Sequence, residues 1–128
     1  MRQTSVTLFL LRLNAKEFAM FEGFYTVMFR TPTGIGGGTA TLREGRISGG
    51  DSTHLYLGNY TVLEEAFSAS IAVTTHLHLP HAISVFGKGN LTLDAQGKSR
   101  GADMLVGTAV SPKAPDVTMH FIMKRISA

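Results

Sequence analysis

The chain has 128 residues, 44% of them hydrophobic and 16% charged, enough for one buried core and too apolar for a disordered tail. No apolar run reaches the ~18 residues a membrane-spanning helix needs, and with no cysteine, disulfides, thiolate metal sites and cysteine nucleophiles are excluded. The net charge of +3 arises mostly before Met20, where Arg2, Arg12 and Lys16 face only Glu17; beyond it the signs nearly balance, without the clustered cations that phosphate-backbone binding requires. Direct binding to nucleic acid is therefore not expected.

Residues 1–19 contain a short apolar run at 6–11 that is followed at once by Arg12. A secretory core runs about 7–15 uncharged apolar residues, so this run sits at the short limit. We read 1–19 as an N-terminal extension before a single domain at 20–128, with initiation at Met20 favoured over cleavage after Ala19, because a strand pattern starts immediately after Met20.

From there the periodicity is two. "TATL" places Ala40 and Leu42 on one parity, and "REGR" at 43–46 sets Glu44-Gly45 where a two-residue hairpin turn wants positive φ. "TPTGIGGG" at 31–38 reads as a loop from its glycine and proline content. "GGD" at 49–51 precedes a strand rather than a helix, so it lacks the helix N-terminus of a phosphate cradle; it reads as a tight turn in which Asp51 bonds its own backbone. Tyr56 and Tyr60 then share one face of a strand, expected at a barrel interior or rim with hydroxyls at its edge.

"LEEA" at 63–66 is an acidic turn into the longest alternating stretch, "AFSASIAVTTHLHL". Phe67, Ala69, Ile71, Val73, Leu77 and Leu79 fall on the inward parity, and Ser68, Ser70, Thr74, His76 and His78 on the outward one. "THLHLPH" at 75–81 invites a metal reading. On a strand reaching residue 79, however, His76 and His78 stand outward about 7 Å apart, and a third ligand is not evident where catalytic zinc typically takes three. No metal and no cofactor are expected.

"PHAISVFG" at 80–87 lacks alternation and is expected to form a helical turn. "NLTLDAQ" with Leu91, Leu93 and Ala95, and "DVTMHFIMKRI" with Val117, Met119, Phe121 and Met123, resume the strand pattern; "AQGKSRGAD" and "SPKAPD" at 111–116 are the breaks around them. About eight short strands at 8–12-residue spacing predict an all-β, antiparallel eight-stranded barrel. No Gly-x-Ser-x-Gly elbow is present, and Asp51, Asp94, Asp103 and Asp116 lie near turns or strand surfaces, so no catalytic residues and no enzyme activity are expected.

The ordered run "FEGFYTVMF", the Gly-rich segment, "GRISGGD", "YLGNY", "HLH", "SVFG", "LTL" and "MKRI" resembles the GrlR-like family of bacterial negative regulators of type III secretion, over about residues 20–126. That resemblance implies a lipocalin-like barrel that forms homodimers in the cytoplasm. It also implies regulation by binding a transcriptional activator protein rather than catalysis. In the family an acidic run at the hairpin before the long strand matters for function; here Glu64 and Glu65 hold that position and are the expected partner contact. The alternative is a carrier or sensor of a small apolar ligand in the lumen, using Tyr56, Tyr60, Phe67, Ile71, Val73 and Phe121. An eight-stranded lumen is just filled by side chains or holds one small molecule, and a filled core is the default.

Overall fold

A computed structural model describes residues 20–79 and 90–128. They form eight strands: β1 (Gly23–Thr31), β2 (Gly34–Arg43), β3 (Arg46–Gly50), β4 (His54–Leu63), β5 (Ala66–Thr75), β6 (Leu91–Ser99), β7 (Met104–Ser111) and β8 (Ala114–Ser127). Each pairs antiparallel with its neighbour in sequence, and β8 returns to β1 to close the barrel. The alternation of inward and outward residues thus encodes an up-and-down barrel with no free edge, the closure that removes unpaired strand groups. The extension at 1–19, the helical turn expected at 80–87 and His81 lie outside the described residues.

Tight turns set the register. Glu44 and Gly45, with φ of 50° and 79°, make the primed two-residue turn between β2 and β3. Pro32-Thr33, Glu64-Glu65 and Pro112-Lys113 join β1–β2, β4–β5 and β7–β8. Pro32 and Pro112 thus each open a two-residue turn, whereas residues 114–116, expected to be loop and including Pro115, already belong to β8.

Two expectations are corrected. The glycine-rich segment 34–38 is strand, paired from Gly34↔Thr31 to Gly38↔Val27. Glycine disfavours strands because it offers no side chain to pack, but here the missing side chain is what the fold uses. Gly36 pairs directly with Phe29, and a Cβ on it would stand 2.5 Å from that ring. The long strand, in turn, ends at Thr75 rather than Leu79: His76 and Leu77 instead donate their amides to the Thr53 carbonyl at 2.8 and 3.3 Å. Leu77 and Leu79 are therefore exposed (45% and 44%), not inward, and His76 and His78 are not strand neighbours.

The barrel's two ends differ. At one end the chain enters through Phe21, 1% exposed, which plugs the lumen against Phe67 at 5.9 Å between ring centroids. The Tyr25 hydroxyl, on a residue with no exposure, donates to the Phe21 carbonyl at 2.7 Å. Arg125 from β8 lies over the Tyr25 ring at 5.5 Å, and its guanidinium donates to the carbonyls of Glu22 (2.8 Å), Met20 (2.9 Å) and Ala102 (3.3 Å). The Glu22 carboxylate accepts the Glu44 amide at 2.7 Å. At the other end lie the turns 32–33, 51–53 and 112–113.

Candidate functional site

The described residues do not fill the lumen along its whole length: a cavity of about 320 Å³ runs from the mouth inward as far as Leu42 and Ile47, at the lower limit of the ~300–1,000 Å³ typical of small-molecule sites. Its floor is aromatic, where Phe67 meets Phe121 at 6.1 Å between centroids. Ile71, Val73, Leu91 and Leu93 line its wall from β5 and β6, as the inward parity of those strands dictates. Near the mouth, Phe29 and Tyr56 pack edge to face at 6.2 Å.

The polar lining comes from one side of the mouth only, the loop 51–53 and the start of β4. Asp51 organises it. Its Oδ1 accepts the amides of Thr53 (2.8 Å) and His54 (2.7 Å) and the Thr53 hydroxyl (3.1 Å), while its own amide donates to the His54 carbonyl at 2.9 Å. This is the side-chain-to-backbone turn read from "GGD". The Tyr56 hydroxyl donates to Oδ2. Outside, His76 Nε2 stands 3.0 Å from the Asp51 carbonyl.

Protonation follows from these contacts. Burial works to raise the Asp51 carboxyl, but the bonds from Tyr56, Thr53 and His54 outweigh it and hold it below the usual range, so it is a carboxylate. Burial and the adjacent Asp51 push Tyr56 up, keeping it a phenol. Thr53 Oγ1 lies 2.7 Å from His54 Nδ1 as well as against Asp51. One arrangement satisfies both contacts, with His54 Nδ1–H donating to Thr53 Oγ1 and its hydroxyl donating to Asp51. The hydroxyl thus stands between imidazole and carboxylate, whereas a nucleophilic triad needs the imidazole in the middle.

Of the residues expected to contact a ligand, Tyr56, Phe67, Ile71, Val73 and Phe121 line the cavity and Tyr60 does not. Tyr60 shares the face of Tyr56, but four residues of strand carry it into the packed end, 2% exposed, with its amide bonded to the Gly45 carbonyl at 2.8 Å. Burial there, with Glu22 nearby, pushes its phenol up to about 12. Glu64 and Glu65 lie exposed on the β4–β5 turn at the plugged end, with Glu64 at φ 57°. Sequence reasoning missed Thr53 and His54 as mouth residues, although both follow within three positions of the Asp51 turn that it identified. His120 points outward on β8, and among the described residues no three histidines or carboxylates gather where a metal ion could bind.

No family model and no curated protein matches the chain.

Proposed function

We propose that the chain is a non-enzymatic carrier or sensor of one small amphipathic molecule held in the barrel lumen. The observation that carries this reading is the 320 Å³ cavity with an aromatic floor, aliphatic wall and polar groups confined to one side of its mouth. An apolar pocket with a few convergent polar groups is the arrangement ligand sites share, and a barrel packed to native density would leave no such space. Native mass spectrometry of protein extracted without detergent tests it. A retained small-molecule adduct, lost when Ile71→Trp fills the lumen, is the expected result; a bare chain that also fails to take up any added amphiphile would overturn the reading.

A second reading is favoured by a different feature, the tip of the β4–β5 hairpin. Leu63 is 75% exposed there beside exposed Glu64 and Glu65, an apolar residue and two carboxylates presented together at the end opposite the mouth. On this reading the tip contacts a protein partner. With the family resemblance it extends to a cytoplasmic homodimer that restrains a transcriptional activator. Capture from the native cell by wild type and by Glu64→Ala/Glu65→Ala separates the readings: loss of a transcription factor in the variant supports partner contact, and identical captures would remove it.

A further inference from the structure

At the mouth of the cavity stands a carboxylate that no lysine or arginine among the described residues accompanies. Asp51 is the one carboxylate among the described residues that line the cavity. Its side chain is 16% exposed. Charges this far from water are normally paired, yet the donors on Asp51 are amides, the Thr53 hydroxyl and the Tyr56 phenol. The nearest basic side chain among the described residues is His54, whose Nδ1 is 3.9 Å from Oδ1 and is engaged by Thr53. The two carboxylate oxygens also differ. Oδ1 holds the turn through three donors, whereas Oδ2 has a single partner, Tyr56, and so keeps an acceptor position. The turn accounts for Oδ1 but does not need an ionised Oδ2 beside an apolar lumen.

We propose that the lumen selects a cationic amphiphile, with a primary ammonium donating to Asp51 Oδ2 beside the Tyr56 hydroxyl and an apolar tail lying against Phe67, Ile71 and Val73. This rests on the carrier reading and names its ligand class. The ammonium gains a charge-assisted bond in a site of low dielectric, and it brings a positive charge to the carboxylate. A carboxylate headgroup meets like charge at the same place, and an alcohol gains only a neutral donor's bond. The volume fits a short chain rather than a two-tailed lipid.

Calorimetric titration of the full chain at pH 7 with octylammonium, octan-1-ol and octanoate, each below its micellar concentration, tests this directly. Octylammonium is expected to bind at least about tenfold more tightly than octanol, the scale of one hydrogen bond to a charged group, with octanoate weakest. In Asp51→Asn, whose amide oxygen preserves the turn at Oδ1, the octylammonium advantage over octanol should fall to within about threefold. Octanoate binding as well as octylammonium, or a preference that survives Asp51→Asn, overturns the selectivity and leaves the carrier reading standing. Failure of all three amphiphiles to bind overturns both. The wild-type ranking needs no variant to fold.

Discussion

The two ends of this barrel are built from the same alternating strands and do opposite things. The end around Phe21 is packed: Phe21 and Tyr25 fill the lumen, Tyr60 is buried with them, and Arg125 ties the incoming chain and residue 102 to β8. The other end is left hollow, with half-buried Val27, Phe29, Ile71 and Val73 around an open space. Stability is thus concentrated at one end and ligand capacity at the other. Such a division lets a barrel keep apolar surface uncovered without losing its fold, because the plug supplies packing that the hollow half forgoes.

Substitutions at the two ends should differ most where the plug is removed. Phe21→Ala is expected to cost about 3–5 kcal/mol, the range for deleting a buried aromatic ring, read as a lowered urea midpoint. Arg125→Met keeps the apolar stem but strips donors from three carbonyls; a loss of about 1–3 kcal/mol is expected in the same measurement. Val73→Ala, on the hollow wall, should cost about 1 kcal/mol or less, since its surface is already partly wet and truncation enlarges an existing space. If Val73→Ala matched Phe21→Ala, the hollow end would be as tightly packed as the plug and the contrast would fail.

Titration sharpens the same comparison. All three tyrosines of the chain are raised above the ordinary phenol value, chiefly by burial. Absorbance of the folded protein should therefore show no tyrosinate step near pH 10. For Tyr60 the folded value of about 12 lies above the unfolded one. Its contribution to stability is full below about pH 10 and is lost as pH rises toward about 12, a loss that Tyr60→Phe removes at the plugged end. At the mouth the sign is opposite. Asp51 is lowered, so its contribution is present above the unfolded value of about 3.9 and is lost as pH falls through the lower folded one. The difference in urea midpoint between wild type and Asp51→Asn should narrow below about pH 4, the smallest of these effects.

Which residues alternate was legible in the sequence, and with it the all-β class, the strand number, and the inward set of β6 and β8. Leu91, Leu93, Ala95, Met119, Phe121 and Met123 are all buried as their parity requires. The turn at Asp51 was legible too, because an aspartate after two glycines bonds backbone amides locally. Less legible were places where a distant strand decides. The glycines at 34–38 read as loop because their strand role depends on Phe29 and on pairing with β1. The end of the long strand was placed four residues late because the alternation runs on to Leu79, while Thr53, from another loop, takes the amides of His76 and Leu77.

The opposite fates of Tyr56 and Tyr60 make the same point within one strand. Sequence by itself determined that both face inward, since side chains four residues apart on a strand share a face. Only the tertiary structure decided that one stands at a wet mouth against Asp51 while the other is sealed behind the plug. Period two fixes direction across a sheet, but depth along a closed barrel depends on what fills the lumen at each level, and Phe21 reaches that position from outside the strands altogether.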